Sequence, residues 1–230
     1  LISFFSHHFA GSISAIQMGM SVVESELSKI IADSQTNATL SHTKEITNML
    51  QSSLHRLLKL QQDLLLLLRL QLLPQPKPLQ PQETVQLAQL LSVITSIWHE
   101  KMEAADLTVE TNIIETNLIT NKTMIETIIK QLVSNAFRFT ANHGTIRISC
   151  SQDDSKTVIT IENHSPAVRP GLIDQVQSGN SITATKPPRG ESGSGLGLLI
   201  ATTCCKLIDA KLRLSQADPF FQAELSIPLQ

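Results

Sequence analysis

Hydrophobic residues of the first 73 positions recur at steps of three and four in two long stretches separated by polar residues. Such spacing places apolar side chains on one face of a helix. The polar stretch between them, residues 32–42, has the composition of a loop, so we expect two helices in an antiparallel hairpin. The apolar positions are Ile2, Phe5, Phe9, Ile13, Ile16, Met20, Val23, Leu27 and Ile30, then Ile46, Leu50, Leu54, Leu57, Leu60, Leu64 and Leu67.

A single hairpin cannot bury this much leucine. Two copies packed as a four-helix bundle would cover the apolar faces, which predicts a homodimer through residues 1–73. The second helix ends where the prolines at 74, 76, 78 and 81 remove amide donors and disfavour helical geometry in the preceding residues. We therefore expect a linker over residues 74–82.

Residues 83–230 alternate between helical and strand patterns. A helix is expected near residues 86–104 and another over Lys122–Phe139, with strand-like "LTVETNI" between them. "GTIRISCS" and "KTVITIEN" predict a hairpin about a "QDDS" turn, and "AKLRLSQ" and "FQAELSIPL" close the chain. The expected fold class is α+β: an N-terminal helical hairpin followed by a two-layer α/β sandwich with a mixed sheet.

Composition excludes several classes of partner. The chain has 230 residues, a net charge of -2, scattered basic residues and no tyrosine, so nucleic acid is not an expected partner. Its three cysteines lack metal-ligand spacing and favour a reducing, cytoplasmic compartment. The longest apolar run, Leu64 to Leu68, is too short to cross a bilayer. Because the chain starts without methionine, we expect it to be part of a longer protein whose N-terminal region could anchor or target it.

The helix from Lys122 carries a polar stripe beside its apolar face. Gln131, Asn135 and Arg138 follow one another at helical spacing. The stripe suits either a solvated surface or a metal ion with bound phosphates. The expected core positions of this helix are Ile125, Ile128, Ile129, Leu132, Ala136 and Phe139.

Glycines introduce the last predicted helix. Gly193, Gly195 and Gly197 would let backbone amides approach an anion at the helix start, where the helix dipole favours negative charge. The G-x-G-x-G spacing differs from the dinucleotide-binding fingerprint, and no strand leads directly into it. A glycine cluster and a polar stripe in one domain together indicate a phosphate site.

Four segments resemble the motifs of sensor histidine kinases, in that family's order. "FSHHFAGSISAI" resembles the H box, and "RLLKLQQDLLLLLRL" the second helix of the dimerisation domain. "IIKQLVSNAFRFT" resembles the N box, and "GSGLGLLIA", which includes Leu196 and Leu198, the second glycine box. The resemblance implies a dimer that uses ATP and Mg²⁺ to phosphorylate a histidine, from which the phosphoryl group passes to an aspartate of a response regulator.

Within the H box, the resemblance makes His7 the phosphoryl acceptor. Independently, His7 lies two residues before Phe9, a rotation of about 200° on a helix, so its ring should point away from the apolar face. The family usually has a carboxylate next and Thr or Asn four residues after the histidine; here those positions hold His8 and Gly11. A neutral His8 could replace the carboxylate as base.

The resemblance also assigns the nucleotide contacts. Asn135 matches the magnesium-binding asparagine, Arg138 takes the position of a lysine, and Gln131 replaces Asn or Glu. Asn163 of "NHSPA" stands for the aspartate that contacts the adenine amino group, with Ser165 and Ala167 in place of glycines. In the lid segment, Lys186 and Arg189 are the candidate phosphate contacts.

Three functional classes fit these residues. An active histidine kinase needs the second glycine box, Asn135 and His7. A histidine phosphotransferase of the same architecture needs His7 but not ATP, and would explain the altered first glycine box. A pseudokinase that acts as a dimeric scaffold needs neither.

Overall fold

The computed structural model describes residues 37–72, 82–165 and 196–229, with single positions 17, 20, 21, 24, 25, 28, 171 and 173. The chain divides into two compact units, Leu1–Leu66 and Leu67–Gln230. No helix in the described ranges is long and apolar enough to span a membrane.

The first described helix, α1, runs over Asn37–Gln71. It starts inside the stretch expected to be a loop: residues 37–42, the last six of that stretch, belong to the helix. The described positions among residues 17–28 are also helical, and the Gln51 side chain donates a hydrogen bond to Glu24 from that earlier stretch. The expected turn between them, residues 32–36, lies outside the described residues.

The leucines of α1 differ sharply in exposure. Leu54 and Leu67 are 6% exposed, whereas Leu57 and Leu64 are 55% and 47% exposed. Lys59 lies one turn before the buried Asp63, with 2.7 Å between its Nζ and the carboxylate Oδ1. Leu57 and Leu64 therefore leave apolar surface exposed on the described helix.

Seven strands and three helices follow α1 in the described ranges. Two short strands, β1 and β3, pair antiparallel in a small sheet. The large sheet has the order β2-β4-β5-β7-β6, with β2 parallel to β4 and the other pairs antiparallel. The elements are β1 Glu83–Gln86, α2 Leu87–Ala104, β2 Thr108–Ile113, β3 Asn117–Thr120, α3 Lys122–Phe139, β4 Thr145–Gln152, β5 Lys156–His164, α4 Gly197–Leu207, β6 Lys211–Ala217 and β7 Phe220–Pro228.

Buried and less buried side chains alternate along the strands, which gives the sheet one face that can pack against a layer of helices. Every second side chain of β5 is buried, and β4 and β7 carry buried residues in register with them. This face packs against α2, α3 and α4, while the opposite face is partly exposed. The buried strand residues include Ile146, Ile148, Cys150, Ile159, Ile161, Ala223, Leu225 and Ile227. The α+β fold with a mixed sheet is thus confirmed.

The predicted bounds of α3 are confirmed, but one core position is wrong. Phe139 is only partly buried, whereas Phe137 is 8% exposed and packs on Trp98 of α2 with ring centroids 5.1 Å apart. Helix α3 ends at Phe139, and Thr140 is already extended. The small β1–β3 sheet was also not predicted.

All three cysteines are buried and free, as expected for a chain without a disulfide framework. Burial raises the pKa of Cys204 and of Cys205 to about 12. These thiols are neutral at physiological pH and belong to the core of α4.

The hydroxyl of Thr157 is a weak point of the core. Thr157 is fully buried on β5, and its Oγ1 has no hydrogen-bond partner. Replacing it by valine should raise the free energy of unfolding by about 1 kcal/mol, because an unsatisfied buried hydroxyl is removed without a large change of shape. Denaturant unfolding should show a higher midpoint at an unchanged m-value. The control is Thr160→Val on the opposite face of β5, for which we expect little change; a lower midpoint for Thr157→Val would contradict the prediction.

Candidate functional site

Helix α3 supplies the polar side of the site. It starts at a cap in which the Asn121 side chain accepts a hydrogen bond from the Met124 amide at 2.9 Å. Its apolar residues pack on the sheet and on the neighbouring helices. Gln131, Asn135 and Arg138 are only partly buried, so they lie at the edge of this core.

The start of α4 lies directly against that polar edge. A Cβ at Gly197 would come within 2.8 Å of the Gln131 Oε1 atom and 3.8 Å of the Asn135 Nδ2 atom. Gly197 thus permits a close approach at which any larger residue would require the Gln131 side chain to move. The structure brings together two segments that the sequence separates by some sixty residues, the polar stripe of α3 and the glycine-rich start of α4.

The N-cap side chain of α4 makes no capping hydrogen bond. Its N-cap residue is Leu196, which cannot accept a hydrogen bond through its side chain, and Ile200 N donates to Leu196 O at 2.8 Å. Helix starts leave their first amides without intrahelical acceptors, and a cap residue normally satisfies one of them. An anionic group suits such a helix start.

Below the two helices, a cavity of about 30 Å³ opens onto the sheet. Its lining residues are Leu132, Asn135, Ala136, Ile161, Asn163, Leu198, Phe221 and Ala223. None of these side chains is titratable, so a ligand here would meet apolar surface and two carboxamides in the described lining. Sites for whole ligands usually measure some 300–1,000 Å³, so this cavity can hold only one end of a ligand.

Asn163 is the buried polar group of this cavity. It is 2% exposed at the end of β5, and its Nδ2 has no hydrogen-bond partner. The strand end is held on both sides: Ala141 N donates to His164 O at 2.9 Å, and Ser165 N donates to Pro219 O at 3.0 Å. These two hydrogen bonds therefore hold the backbone next to Asn163, and with it the position of the Asn163 Cα atom.

Tight backbone packing also places the end of α3 beside β5. A Cβ at Gly144 would lie 2.7 Å from Thr140 Cγ2 and 2.8 Å from Ala141 O. Only glycine allows the chain to turn this closely behind the helix. Asn135 on α3 and Asn163 on β5 line the same cavity.

The predicted site residues fall into three groups. Asn135, Asn163 and Leu198 line the cavity, and Gln131 and Gly197 lie beside Asn135. Arg138 and Leu196 belong to the same two helix segments but are not among the lining residues. The remaining candidates, His7, His8, Lys186, Arg189, Gly193 and Gly195, lie outside the described residues.

Several lining residues were missed by the sequence analysis. Ile161 precedes Asn163 by two positions and so shares its face of β5, a relation that strand periodicity could have revealed. Phe221 and Ala223 come from β7, which pairs with β5 in register. Only the strand order brings them to the cavity, and no local sequence signal carries that information.

Residues 120–229 match the family model described as Histidine kinase-, DNA gyrase B-, and HSP90-like ATPase. No curated protein matches the chain.

Solved structures of sensor kinases share the fold. The mycobacterial sensor histidine kinase MprB is 18% identical, with a TM-score of 0.57 over 65% of this chain and 99% of its own. The Acinetobacter baumannii histidine kinase AdeS is 17% identical, with a TM-score of 0.57 over 94% of this chain and 98% of its own. Full-length ShkA in complex with AMPPNP is 15% identical, with a TM-score of 0.67 over 97% of this chain and 46% of its own. Residues 120–229 therefore match the histidine kinase-, DNA gyrase B- and HSP90-like ATPase family model, and the chain shares the fold of these sensor histidine kinase structures.

Proposed function

We propose that this chain is the transmitter core of a sensor histidine kinase. It binds ATP with Mg²⁺, transfers the γ-phosphoryl group to His7, and passes that group to an aspartate of a response regulator. The observation that carries the proposal is the approach of Gly197 to Gln131 and Asn135, above a cavity that contains Asn163. This arrangement offers an anion-binding helix start and a small, mostly apolar cavity side by side, which a nucleotide requires.

Asn135 is the proposed protein ligand of Mg²⁺. Its carboxamide offers an oxygen at the polar edge of α3, next to the helix start where phosphates would lie. The described residues contain no group of three or more His, Cys, Asp or Glu side chains able to hold a metal. Magnesium bound by one or two protein oxygens, phosphates and water fits this donor set. When bound, it neutralises phosphate charge and orients the γ-phosphoryl group.

Lys186 and Arg189 are proposed to contact the phosphates. The cavity lining described above is uncharged, so positive charge for a triphosphate must come from other residues. Arg138, one turn after Asn135, is a further candidate on α3. The amides at the start of α4, together with Gly193 and Gly195, complete the proposed phosphate site.

His7 is the proposed nucleophile. One of its imidazole nitrogens forms a bond to the γ-phosphorus while the bond from that phosphorus to the bridging oxygen breaks, and ADP leaves. The ring proton released from His7 goes to a base, and neutral His8 is the nearest candidate in the sequence. Because no carboxylate adjoins His7, we expect the transfer to be slow.

The hairpin is proposed to dimerise and to present His7 to the nucleotide domain and to the receiver domain of the response regulator. Support comes from the exposed leucines of α1, which a second copy would bury.

The proposal predicts that His7, and not His8, carries the phosphoryl group. The wild-type chain, His7→Gln and His8→Gln should be incubated with γ-labelled ATP and Mg²⁺ between pH 6 and 7. Acid-labile label should be lost only in His7→Gln. In the wild type, labelling should rise with pH as His8 becomes neutral, because a typical histidine titrates at about pH 6.5. His8→Gln should be slower, by about 100-fold, and less dependent on pH.

Other outcomes identify the alternative classes. Label retained in His7→Gln would refute the acceptor assignment. ATP binding without label in any variant would indicate a pseudokinase. Labelling of His7 only by a phosphorylated response regulator would indicate a phosphotransferase.

A further inference from the structure

Gln216 of β6 carries two buried polar atoms without partners. Neither its Nε2 nor its Oε1 forms a hydrogen bond, so the donor and the acceptor of one carboxamide are both unsatisfied. Such groups are unfavourable and uncommon in native proteins. A conformation in which water reaches the carboxamide would satisfy both atoms, so the buried arrangement is less stable than it would be with an apolar side chain of the same length.

The end of β6 is also weakly held. In the described ranges, β6 is the last strand in the order of the large sheet and pairs with β7 alone. Its start is fixed by a hydrogen bond of 2.9 Å from Ala210 N to a carbonyl of α4, and Leu214 is 4% exposed. The segment Ser215–Ala217 is more exposed, and one side-chain hydrogen bond of 3.2 Å, from Ser215 Oγ to Gln222 Oε1, adds to its ladder. This segment can therefore separate from the sheet while the rest of β6 stays.

Strand β7, in contrast, is held on its other side. It pairs with β5 along its whole length. Just before it begins, Ser165 N donates a hydrogen bond to Pro219 O at 3.0 Å. A local motion at this place therefore separates β6 from β7 and leaves β7 on β5.

Phe221 connects the end of β6 to the cavity. It pairs with Asn163 of β5 on one side and with Gln216 on the other, so the three side chains lie in one row on the same face of the sheet. Asn163 and Phe221 line the cavity, and Gln216 lies beyond Phe221 in the row. Once Gln216 has moved away, the ring of Phe221 can shift into the vacated space, which widens the cavity.

We propose that residues 215–217 form a movable wall of the cavity, and that the unpartnered carboxamide of Gln216 favours its opening. The closed cavity of about 30 Å³ holds only a small group. With the wall open, Phe221 no longer has a neighbour on the β6 side, and the cavity accepts a larger group. The inference needs the cavity alone and does not depend on which ligand occupies it.

Amide hydrogen exchange of the full chain, followed by NMR, measures the opening. The amides of residues 215–217 that bond to β7 should exchange faster than the amides that join β7 to β5. Gln216→Met keeps the length of the side chain and removes both polar atoms, so it should slow the exchange of residues 215–217 by about tenfold or more. Gln216→Leu should act in the same direction, and thermal unfolding verifies that each variant is folded.

A fluorinated phenylalanine at position 221 tests whether the cavity responds. Its fluorine resonance should exchange between two environments in the wild type, as relaxation dispersion can measure. Gln216→Met should lower the population of the minor environment by about tenfold, in step with the slower amide exchange.

Thr157→Val is the matched control. It removes an unpartnered buried hydroxyl from β5, at a position that pairs with Ile227 near the other end of β7. Because the opening of residues 215–217 is local, their exchange should be unchanged in this variant.

Three results would overturn the inference. Exchange of residues 215–217 as slow as that of the amides between β5 and β7 would show that the wall does not open. Unchanged or faster exchange in both Gln216 variants would refute the role of the carboxamide. A single fluorine environment at position 221, despite fast exchange of residues 215–217, would show that the cavity does not widen when the strand end opens.

Discussion

Replacing Gly197 by valine is expected to abolish nucleotide binding by the folded chain. Even one added carbon at this position comes within 2.8 Å of Gln131 Oε1 and 3.8 Å of Asn135 Nδ2, and valine adds two more carbons. The substitution would push the start of α4 away from the polar edge of α3 and displace the amides that are proposed to meet the phosphates. Losing two charge-assisted hydrogen bonds weakens binding by about 100-fold or more. Titration with Mg²⁺ and an ATP analogue measures the effect.

Gly197→Ala provides a graded control. Its methyl group meets only the Gln131 carboxamide below 3 Å, and that group is the flexible end of a side chain. Gly197→Ala should therefore be milder than valine, and Gln131→Ala in the same chain should relieve most of its effect, as a double-mutant cycle can show. Native affinity in a folded Gly197→Val variant would mean that the nucleotide lies elsewhere.

Replacing Leu57 or Leu64 by glutamate is expected to separate the proposed dimer into monomers. Both leucines are about half exposed on α1, so the monomer can carry a charge there, whereas a bundle of two hairpins would bury it twice by symmetry. The dimer dissociation constant should rise by at least about 100-fold. Sedimentation or light scattering at micromolar concentration measures the association state.

Two further variants separate dimerisation from folding. Gln62→Glu adds the same charge at an exposed polar position of α1 and should remain dimeric. Leu54→Glu introduces the charge at a residue that is 6% exposed within its own chain, and should lower the unfolding midpoint rather than act on the dimer alone. Dimers that persist in both Leu57→Glu and Leu64→Glu would contradict the bundle.

Long or strongly patterned elements could be predicted from sequence alone. Helix α3 has apolar residues at regular spacing and a capping asparagine, and the β4–β5 hairpin alternates about its turn. Strands β1 and β3 have four residues each, too few for a period of two to be distinguished. Their pairing depends on contacts between Val85 and Leu118, residues far apart in sequence.

The candidate site was predictable only as far as its motifs reach. Asn135, Asn163 and Gly197 could be identified by resemblance, since each lies in a short segment with recognisable neighbours. That the Asn163 Nδ2 lacks a partner, and that Phe221 closes the same cavity, depends on how three elements pack. Whether a polar atom has a hydrogen-bond partner depends on the folded structure, so it cannot be predicted from one sequence segment.

The short β1–β3 sheet connects the residues that follow the proline-rich segment to the start of α3. This is a second connection besides the chain itself. Glu83, two residues after Pro81, pairs with Thr120, the residue before the Asn121 cap of α3. A displacement of the chain at residue 82 cannot leave β3 in place without breaking this ladder. A force transmitted through the proline-rich segment would therefore act on the N-terminal end of α3, the helix that carries Asn135, without passing through α2.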